Sequence, residues 1–346
     1  RVLVTYLPIN LIFIFFCLHI IIHNYYFCKY IYVIFIVYII INVKQGDIKM
    51  GLCFLFFLEL LEYLYYNACM PKILTKEQIE QYHEEGFIFP IRVMSKDEAL
   101  TIATKIEEAE RLFPEEIHAE NRNNLHLSFS FLDKLVHNKI VVDAMEDLLG
   151  PDLALWATVM FIKEPSSEHY VSWHQDATYM GMNANRFATP WISLSTCNRE
   201  TGCMTMIPGN HLQEILSHED TFDNDNILTR GQVIKNVDES LGVDLILEPG
   251  EMSIHSGTVV HASKHNSSNN RRVGFALQSY MSPNIKQVVG KNIWTHVRGK
   301  QRSDPEGMSL DRPRYDMDPN TVAQRKIANK NLAQILYKDS DLKRNY

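Results

Sequence analysis

The sequence has few cysteines and no excess of basic residues. Six cysteines occur in 346 residues, and only Cys197 and Cys203 lie beyond residue 69. Two thiols cannot build the disulfide framework of a small secreted scaffold, and this low frequency suits a reducing compartment. The formal net charge is −7, and an acidic chain repels phosphate backbones. We therefore expect a cytoplasmic protein that does not bind nucleic acid.

Charged residues are also nearly absent from the amino-terminal stretch. Between Val2 and Ile41, Lys29 is the only Lys, Arg, Asp or Glu. An apolar run longer than the roughly 20 residues that span a bilayer formally predicts one or two membrane helices. The run is, however, poor in Ala and Gly and rich in Ile, Phe and Tyr, which are amino acids of AT-rich codons. A translated non-coding stretch has this composition.

Two interpretations of residues 1–69 therefore stay open. In the first, which we prefer, they are a spurious leader and the protein starts at Met70, with Met50 as a further candidate start. In the second they are a membrane segment, and the protein is anchored through residues 1–49 instead of being free in the cytoplasm. In both interpretations residues 70–346 are expected to form a single domain.

Helix signals cluster near the start of that domain. Thr75 to Gln78 and Ser95 to Glu98 both fit the capping box, in which a hydroxyl and a polar side chain three residues later bond free backbone N–H groups. We expect the first helix to end near Gly86 and a third helix to run from about Leu132 to Leu149, where Gly150 stops it. These helices are expected to pack against the fold without contributing to a site.

After Pro151 the sequence changes to short β-rich segments separated by turn residues. The segments are LALWATVMFI, TPWISLST, CMTMIP, VDLIL, MSIH and RVGFALQSYM. This pattern is typical of a β-barrel or sandwich. Residues 218–244 are polar and irregular, which predicts a long loop beside the barrel mouth, and a last helix is expected between Thr321 and Tyr337. The predicted fold class is therefore mainly β with flanking helices.

One predicted strand carries two metal-binding side chain types. In SWHQDATY, His174 and Asp176 lie two residues apart and so project from the same face of an extended chain. With one further histidine they would form the facial triad of non-haem iron(II) enzymes, which leaves three coordination positions open. Alone, the pair is a weak signal, because His and Asp occur two apart by chance in many proteins.

The third ligand must come from another strand, and His261 is the best candidate among fourteen histidines. Ser263 follows it by two residues and Arg272 by eleven, and a guanidinium with a hydroxyl beside it can clamp a carboxylate. His255 is the rival ligand. It lacks a serine and an arginine at these offsets, so we assign it to the pocket wall or to a structural hydrogen bond. The alternative role for Arg272, a surface ion pair, fits Arg271 better.

These residues, in this order, resemble the phytanoyl-CoA dioxygenase family of iron(II)/2-oxoglutarate oxygenases. The linking stretch TPWISLSTCNRETGCMTMIPGNH and the segment LEPGEMSIHSG are also similar to that family. The likeness runs from about Leu74 to Arg298. It implies a double-stranded β-helix, the cupin-like jelly roll, and an enzyme that uses iron(II), 2-oxoglutarate and O2.

The resemblance also implies roles for particular residues. The implied iron ligands are His174, Asp176 and His261. The implied 2-oxoglutarate residues are Arg272 and Ser263, together with Trp191 and Lys163. Halogenating relatives have a small residue in place of the carboxylate ligand, so Asp176 favours hydroxylation of a small organic molecule, with release of succinate and CO2.

Two other functions are kept as alternatives. One is a metal-binding jelly roll without turnover, against which the retained triad and arginine argue. The other is a membrane-anchored oxygenase that acts on lipid or acyl substrates, and only the apolar leader supports it.

Overall fold

The structure is a computed structural model, and it describes residues 71–118, 122–291, 293–301 and 308–342. The two interpretations of residues 1–69 lie outside the described residues. None of the helices in the described ranges has the length and apolar character that a membrane crossing requires.

Five α-helices lie in the described part of the chain, and local sequence signals set their ends. They are α1 (Lys76–Glu85), α2 (Lys96–Leu112), α3 (Ser130–Val136), α4 (Lys139–Leu149) and α5 (Pro319–Leu336). The capping boxes predicted at Thr75 and Ser95 both form. Helix α1 ends at Gly86 in the left-handed conformation, which costs little for glycine because it has no Cβ. The predicted last helix is confirmed as α5.

The single helix predicted over Leu132–Leu149 is wrong, because two helices cover this stretch. Helix α3 ends before His137, and Asn138 caps α4 by accepting hydrogen bonds from the backbone N–H groups of Ile140 and Val141. An asparagine oxygen in this position satisfies N–H groups that an unbroken helix would bond internally. The chain therefore restarts its helix at Asn138 instead of continuing it.

The strands of the described residues form two sheets. They are β1 (Phe87–Arg92), β2 (Leu153–Leu155), β3 (Val159–Lys163), β4 (Val171–His174), β5 (Phe187–Ser193), β6 (Met204–Met206), β7 (Val243–Leu245), β8 (Glu251–Ser256), β9 (His261–Ser263), β10 (Arg272–Ala276), β11 (Tyr280–Met281), β12 (Ile293–Arg298) and β13 (Met308–Ser309). The large sheet has the order β1-β8-β5-β11-β2-β12-β13, and β10 joins β5 to β3. The small sheet has the order β4-β9-β6-β7.

The two faces of the large sheet carry different residues, because side chains alternate along a strand. One face belongs to a core shared with α2, α3 and α4, and it includes Ile162, Ile192, Ile254 and Phe275. The opposite face of the same strands carries Lys163, Trp191, His255 and Arg272. Trp191 shares an apolar cluster with Met204 and Met206 of the small sheet. The polar residues of this inner face therefore lie between the two sheets.

Candidate metal centre

The pairing of β4 with β9 brings two histidines together. His174 and His261 are register partners of these antiparallel strands, and their ring centroids lie 4.1 Å apart. Gln175, the residue after β4, has an extended backbone, and Asp176 then begins a short 3-10 turn. One possible ligand atom from each of the three residues lies within 4.8 Å of the other two. The structure thus places the distal histidine beside the proximal pair.

Backbone carbonyls orient both imidazoles. His174 Nδ1 lies 2.9 Å from the Ser172 carbonyl oxygen and 3.0 Å from that of His261, and His261 Nδ1 lies 3.0 Å from the Val259 carbonyl oxygen. Because a carbonyl oxygen only accepts, each Nδ1 carries a proton and each Nε2 keeps its lone pair. Asp176 Oδ1 lies 3.4 Å from His174 Nε2 and 4.0 Å from His261 Nε2. Both lone pairs are therefore available to a metal next to the carboxylate.

The protonation states also suit a metal. Burial alone would raise the pKa of the Asp176 carboxyl, but the imidazoles of His174 and His255 beside it lower this pKa well below its usual range. Burial, with His174 nearby, lowers the pKa of His261 well below its ordinary value. An ionised carboxylate and a neutral imidazole are the forms that bind a divalent metal.

His255, the rival ligand, lies beside the triad instead of within it. Its Nε2 is 3.4 Å from Asp176 Oδ2, and its ring centroid is 4.8 Å from that of His261. It also lines the cavity described below. It therefore has both roles that the sequence assigned to it, a pocket wall and a structural hydrogen bond.

Two buried cations lie further along the inner face. Arg272 on β10 and Lys163 on β3 are register partners, and they are only 1% and 0% exposed. Lys163 Nζ donates to Ser263 Oγ at 2.5 Å and to the Lys264 carbonyl oxygen, and Arg272 Nη1 donates to the Gly202 carbonyl oxygen at 2.6 Å. In the described ranges, no carboxylate forms an ion pair with either cation.

Burial is costly for these cations, and their pKa values show it. Burial lowers the pKa of Lys163 to about 6, and the charge of Arg272 contributes to the shift. Burial also lowers the pKa of Arg272. Two like charges without an anionic partner are unfavourable in a protein interior. This end of the inner face is therefore suited to bind an anion.

Trp191 completes this end of the site. Its ring lies 5.3 Å from the Arg272 guanidinium, in a cation–π arrangement. Gly274 makes room for the ring, because a Cβ at that position would lie 1.8 Å from a Trp191 ring carbon. The four residues that the sequence assigned to the cosubstrate are thus neighbours in the structure.

A cavity of about 470 Å³ connects the triad with Trp191, Ser263 and Arg272. Lys163 contacts Ser263 but is not one of the residues that line the cavity. Thr189, His255 and Arg272 line it, and each has a buried polar atom (Oγ1, Nδ1 and Nε) with no hydrogen-bond partner among the described residues. Buried polar atoms are normally bonded to protein, water or ligand. The donor set, the buried cations and these three atoms together fit a metal ion with a polar anionic ligand beside it.

Two features of the cavity were not predicted. Thr189 lies two residues before Trp191, so it shares the inner face, and this spacing was the available signal. The sequence predicted helix α5 without assigning it a role, and its residues Leu332 and Leu336 line the cavity. Tyr179 and Met180, which follow the proximal ligands, line it too.

Gln175 lies between the ligand candidates His174 and Asp176 in the chain. Its side chain points away from the cavity, since Nε2 donates to the Thr258 carbonyl oxygen at 2.6 Å and Oε1 accepts from Leu216 N at 2.8 Å. The residue between the two proximal ligands therefore supports the surrounding backbone.

The sequence profile of the phytanoyl-CoA dioxygenase family matches residues 68–274. The chain belongs to this family. A probable phytanoyl-CoA dioxygenase of Caenorhabditis elegans is 25% identical over 190 residues, which are 53% of this chain and 60% of that protein. Phytanoyl-CoA dioxygenase domain-containing protein 1 of Danio rerio is 26% identical over 154 residues, which are 43% of this chain and 52% of that protein. The alignments thus span little more than half the length of these two relatives.

Two solved structures share the fold of this family member. ThoJ, described as a non-heme monooxygenase, is 28% identical with a TM-score of 0.66, over 75% of this chain and 97% of that chain. CytC3, solved with Fe(II) and alpha-ketoglutarate, is 18% identical with a TM-score of 0.54, over 72% of this chain and 97% of that chain. The second likeness concerns the fold alone. The predicted mainly β, cupin-like fold with flanking helices is confirmed.

Proposed function

We propose that this member of the phytanoyl-CoA dioxygenase family is an iron(II)- and 2-oxoglutarate-dependent dioxygenase. It hydroxylates a small organic molecule and releases succinate and CO2, and residues 70–346 form its single catalytic domain. One observation carries the proposal. The side chains of His174, Asp176 and His261, which could hold one metal ion, line the same cavity as Arg272, which is buried and forms no ion pair with a carboxylate among the described residues.

In this proposal each residue of the site has a defined task. His174 Nε2, His261 Nε2 and an Asp176 oxygen would hold iron(II), which supplies the activation of O2 when it is bound. His255 keeps the Asp176 carboxylate in place through its second oxygen. Hydroxylation is favoured because Asp176 occupies the position where halogenating relatives have a small residue.

The cationic end of the cavity would hold 2-oxoglutarate. Arg272 can grip a carboxylate through parallel hydrogen bonds, because its Nε has no other partner. Lys163 and the Ser263 hydroxyl supply a further charge and a further donor beside it. The Trp191 ring closes this end against water, which strengthens these electrostatic contacts.

Turnover of 2-oxoglutarate by the full chain tests the proposal. We expect succinate and CO2 in equal amounts when iron(II) and O2 are both present, slowly without a substrate and faster when a library compound stimulates the reaction. Replacing iron(II) by zinc(II), or removing O2, should stop succinate formation. If the purified protein formed no succinate with iron(II), 2-oxoglutarate and O2 present, alone or with any library compound, the proposal would be refuted.

A further inference from the structure

One wall of the cavity is formed by two segments outside the sheets, which we call the outer wall. One is α5, which lines the cavity with Asn329, Leu332 and Leu336. The other is the loop 224–232, which lines it with Ile227, Leu228 and Gln232. Helix α5 lies beyond the stretch 68–274 that matches the family. Family membership alone therefore does not account for this wall.

Arg230 joins the two halves of the outer wall. Its side chain is buried, and its Nε and Nη2 donate to the carbonyl oxygens of Leu336 and Lys338, each at 2.5 Å. Carbonyl groups at the carboxyl end of a helix lack the next turn as a partner, and a guanidinium can satisfy two of them at once. A second link is the Tyr337 hydroxyl, which donates to the Thr229 carbonyl oxygen at 3.2 Å.

The same arginine connects the outer wall to the metal centre. Its guanidinium carbon lies 4.7 Å from the centroid of the Tyr179 ring. Asp220 accepts from Arg230 Nη1 at 3.0 Å and from the Tyr179 hydroxyl at 2.7 Å. Tyr179 ends the turn that begins with the metal-binding residue Asp176. A displaced Arg230 would therefore disturb the wall and the edge of the metal centre together.

The outer wall presents a neutral surface to the cavity. The side chains that α5 and the loop 224–232 contribute to the lining are apolar, amide or hydroxyl groups, and none of these described residues is Lys, Arg, Asp or Glu. Arg122 also lines the cavity, next to Asn123, whose carbonyl oxygen accepts from Asn329. The charge of Arg122 is shared with Glu110 in an ion pair of 3.9 Å. A charged or polyphosphate group would find no counter-charge on this wall and would lose its hydration there.

We propose that Arg230 clamps α5 to the loop 224–232, and that the resulting wall selects a neutral, largely apolar small molecule as the substrate. This proposal rests on the function proposed above. The cavity volume of about 470 Å³ lies within the range of roughly 300–1,000 Å³ that holds small ligands. Amides such as Asn329 and Gln232 allow hydrogen bonds to such a substrate.

The experiment compares the parent full chain with three variants. Arg230→Gln removes the clamp. Leu336→Ala widens the wall but keeps the backbone carbonyl that Arg230 binds. Ile327→Ala, on the solvent-facing side of the same helix and 50% exposed, is the matched control. Octanamide and octanoate, which differ in charge but not in chain length, serve as probes of succinate formation from 2-oxoglutarate, and hydrogen exchange of the α5 amides reports on the clamp.

We expect octanamide to stimulate the parent at a concentration at least about tenfold lower than octanoate, because the acid must bury an unpaired charge. Arg230→Gln should raise the hydrogen exchange rate of the last α5 amides by about tenfold. It should also raise the half-saturating octanamide concentration by about tenfold, because a tenfold change corresponds to the loss of one charge-assisted hydrogen bond. Leu336→Ala should shift the preference to a longer amide, dodecanamide, and Ile327→Ala should match the parent.

Three results would overturn the inference. They are stimulation by octanoate that equals or exceeds that by octanamide, stimulation by neither probe, and unchanged exchange and half-saturation in Arg230→Gln. If instead the parent formed no iron-dependent succinate at all, the proposed function would fail, and the exchange rates of the α5 amides would still test the clamp. The two failures are therefore distinguishable.

Discussion

The metal end and the outer end of the same cavity are built by different means. At the metal end, β4, β9 and β10 fix the side chains through strand register, and the residues are charged or metal-binding. At the outer end a helix and a loop meet through the side chain of Arg230, and their lining is neutral. Rigid strands thus carry the groups that need exact placement, while connecting segments carry the surface that contacts a variable molecule.

Loss of a ligand is the largest expected break at the metal end. Asp176→Ala should abolish iron-dependent succinate formation, because even outer-shell changes cost about 10–100-fold in metal affinity and a lost ligand costs more. Iron content after dialysis and succinate formation measure the effect. Asp97→Ala, an exposed aspartate on α2, is the control and should behave like the parent. If Asp176→Ala formed succinate at the parental rate, Asp176 would not be a metal ligand.

The next largest effect is expected at the cationic end. Arg272→Ala should weaken 2-oxoglutarate binding by about 2–5 kcal/mol, the loss for a truncated buried charge clamp, which is roughly 30- to 5,000-fold. The neighbouring Arg271 forms ion pairs with Glu110 and Glu164 at the surface, so Arg271→Ala is the matched control. Calorimetric titration of both variants decides the matter, and equal affinities would contradict the assignment of Arg272.

A smaller effect is expected when the support of the carboxylate ligand is removed. His255→Leu should lower iron affinity by about 10–100-fold, because the hydrogen bond to Asp176 Oδ2 is lost. His255→Gln can still donate from a similar position and should recover part of the affinity. Competition with a metal chelator measures both constants. Identical losses in the two variants would show that His255 acts only by filling space.

The last expected effect is a pH dependence that belongs to the cationic end alone. Because burial holds the pKa of Lys163 near 6, its amine is mostly neutral above that pH in the absence of an anion. An anion beside it raises this pKa, so binding takes up a proton, and 2-oxoglutarate affinity should fall from about pH 6 to about pH 8 by up to about tenfold per pH unit. Lys163→Met should flatten the profile. Affinity that rises with pH in the parent would contradict this role.

The metal end could be predicted because its signals are close together in sequence. His174 and Asp176 lie two residues apart, Ser263 lies two after His261, and an extended chain places such residues on one face. The bond between His255 and Asp176 depends on the approach of β8 to the turn after β4, which no local pattern specifies. The same holds for Thr189, whose place opposite His255 follows from the pairing of β5 with β8.

The outer wall could not be predicted from local patterns. Arg230 donates to the carbonyl oxygen of Leu336, which lies 106 residues away along the chain. The loop around Arg230 contains no periodic pattern that predicts this partner. The end of α3 shows the same limit on a smaller scale. The apolar residues between Leu132 and Leu149 are compatible with one helix, and only the cap at Asn138 divides it.

The central claim is that three residues from two strands and a turn bind one iron(II) ion beside 2-oxoglutarate. Anaerobic titration of the full chain with iron(II) in the presence of 2-oxoglutarate, followed by the visible charge-transfer absorption of the complex, tests this directly. We predict an absorption that saturates at one iron per chain and disappears in His174→Ala, Asp176→Ala and His261→Ala. An absorption that never develops in the parent, or that survives unchanged in all three variants, would contradict the claim.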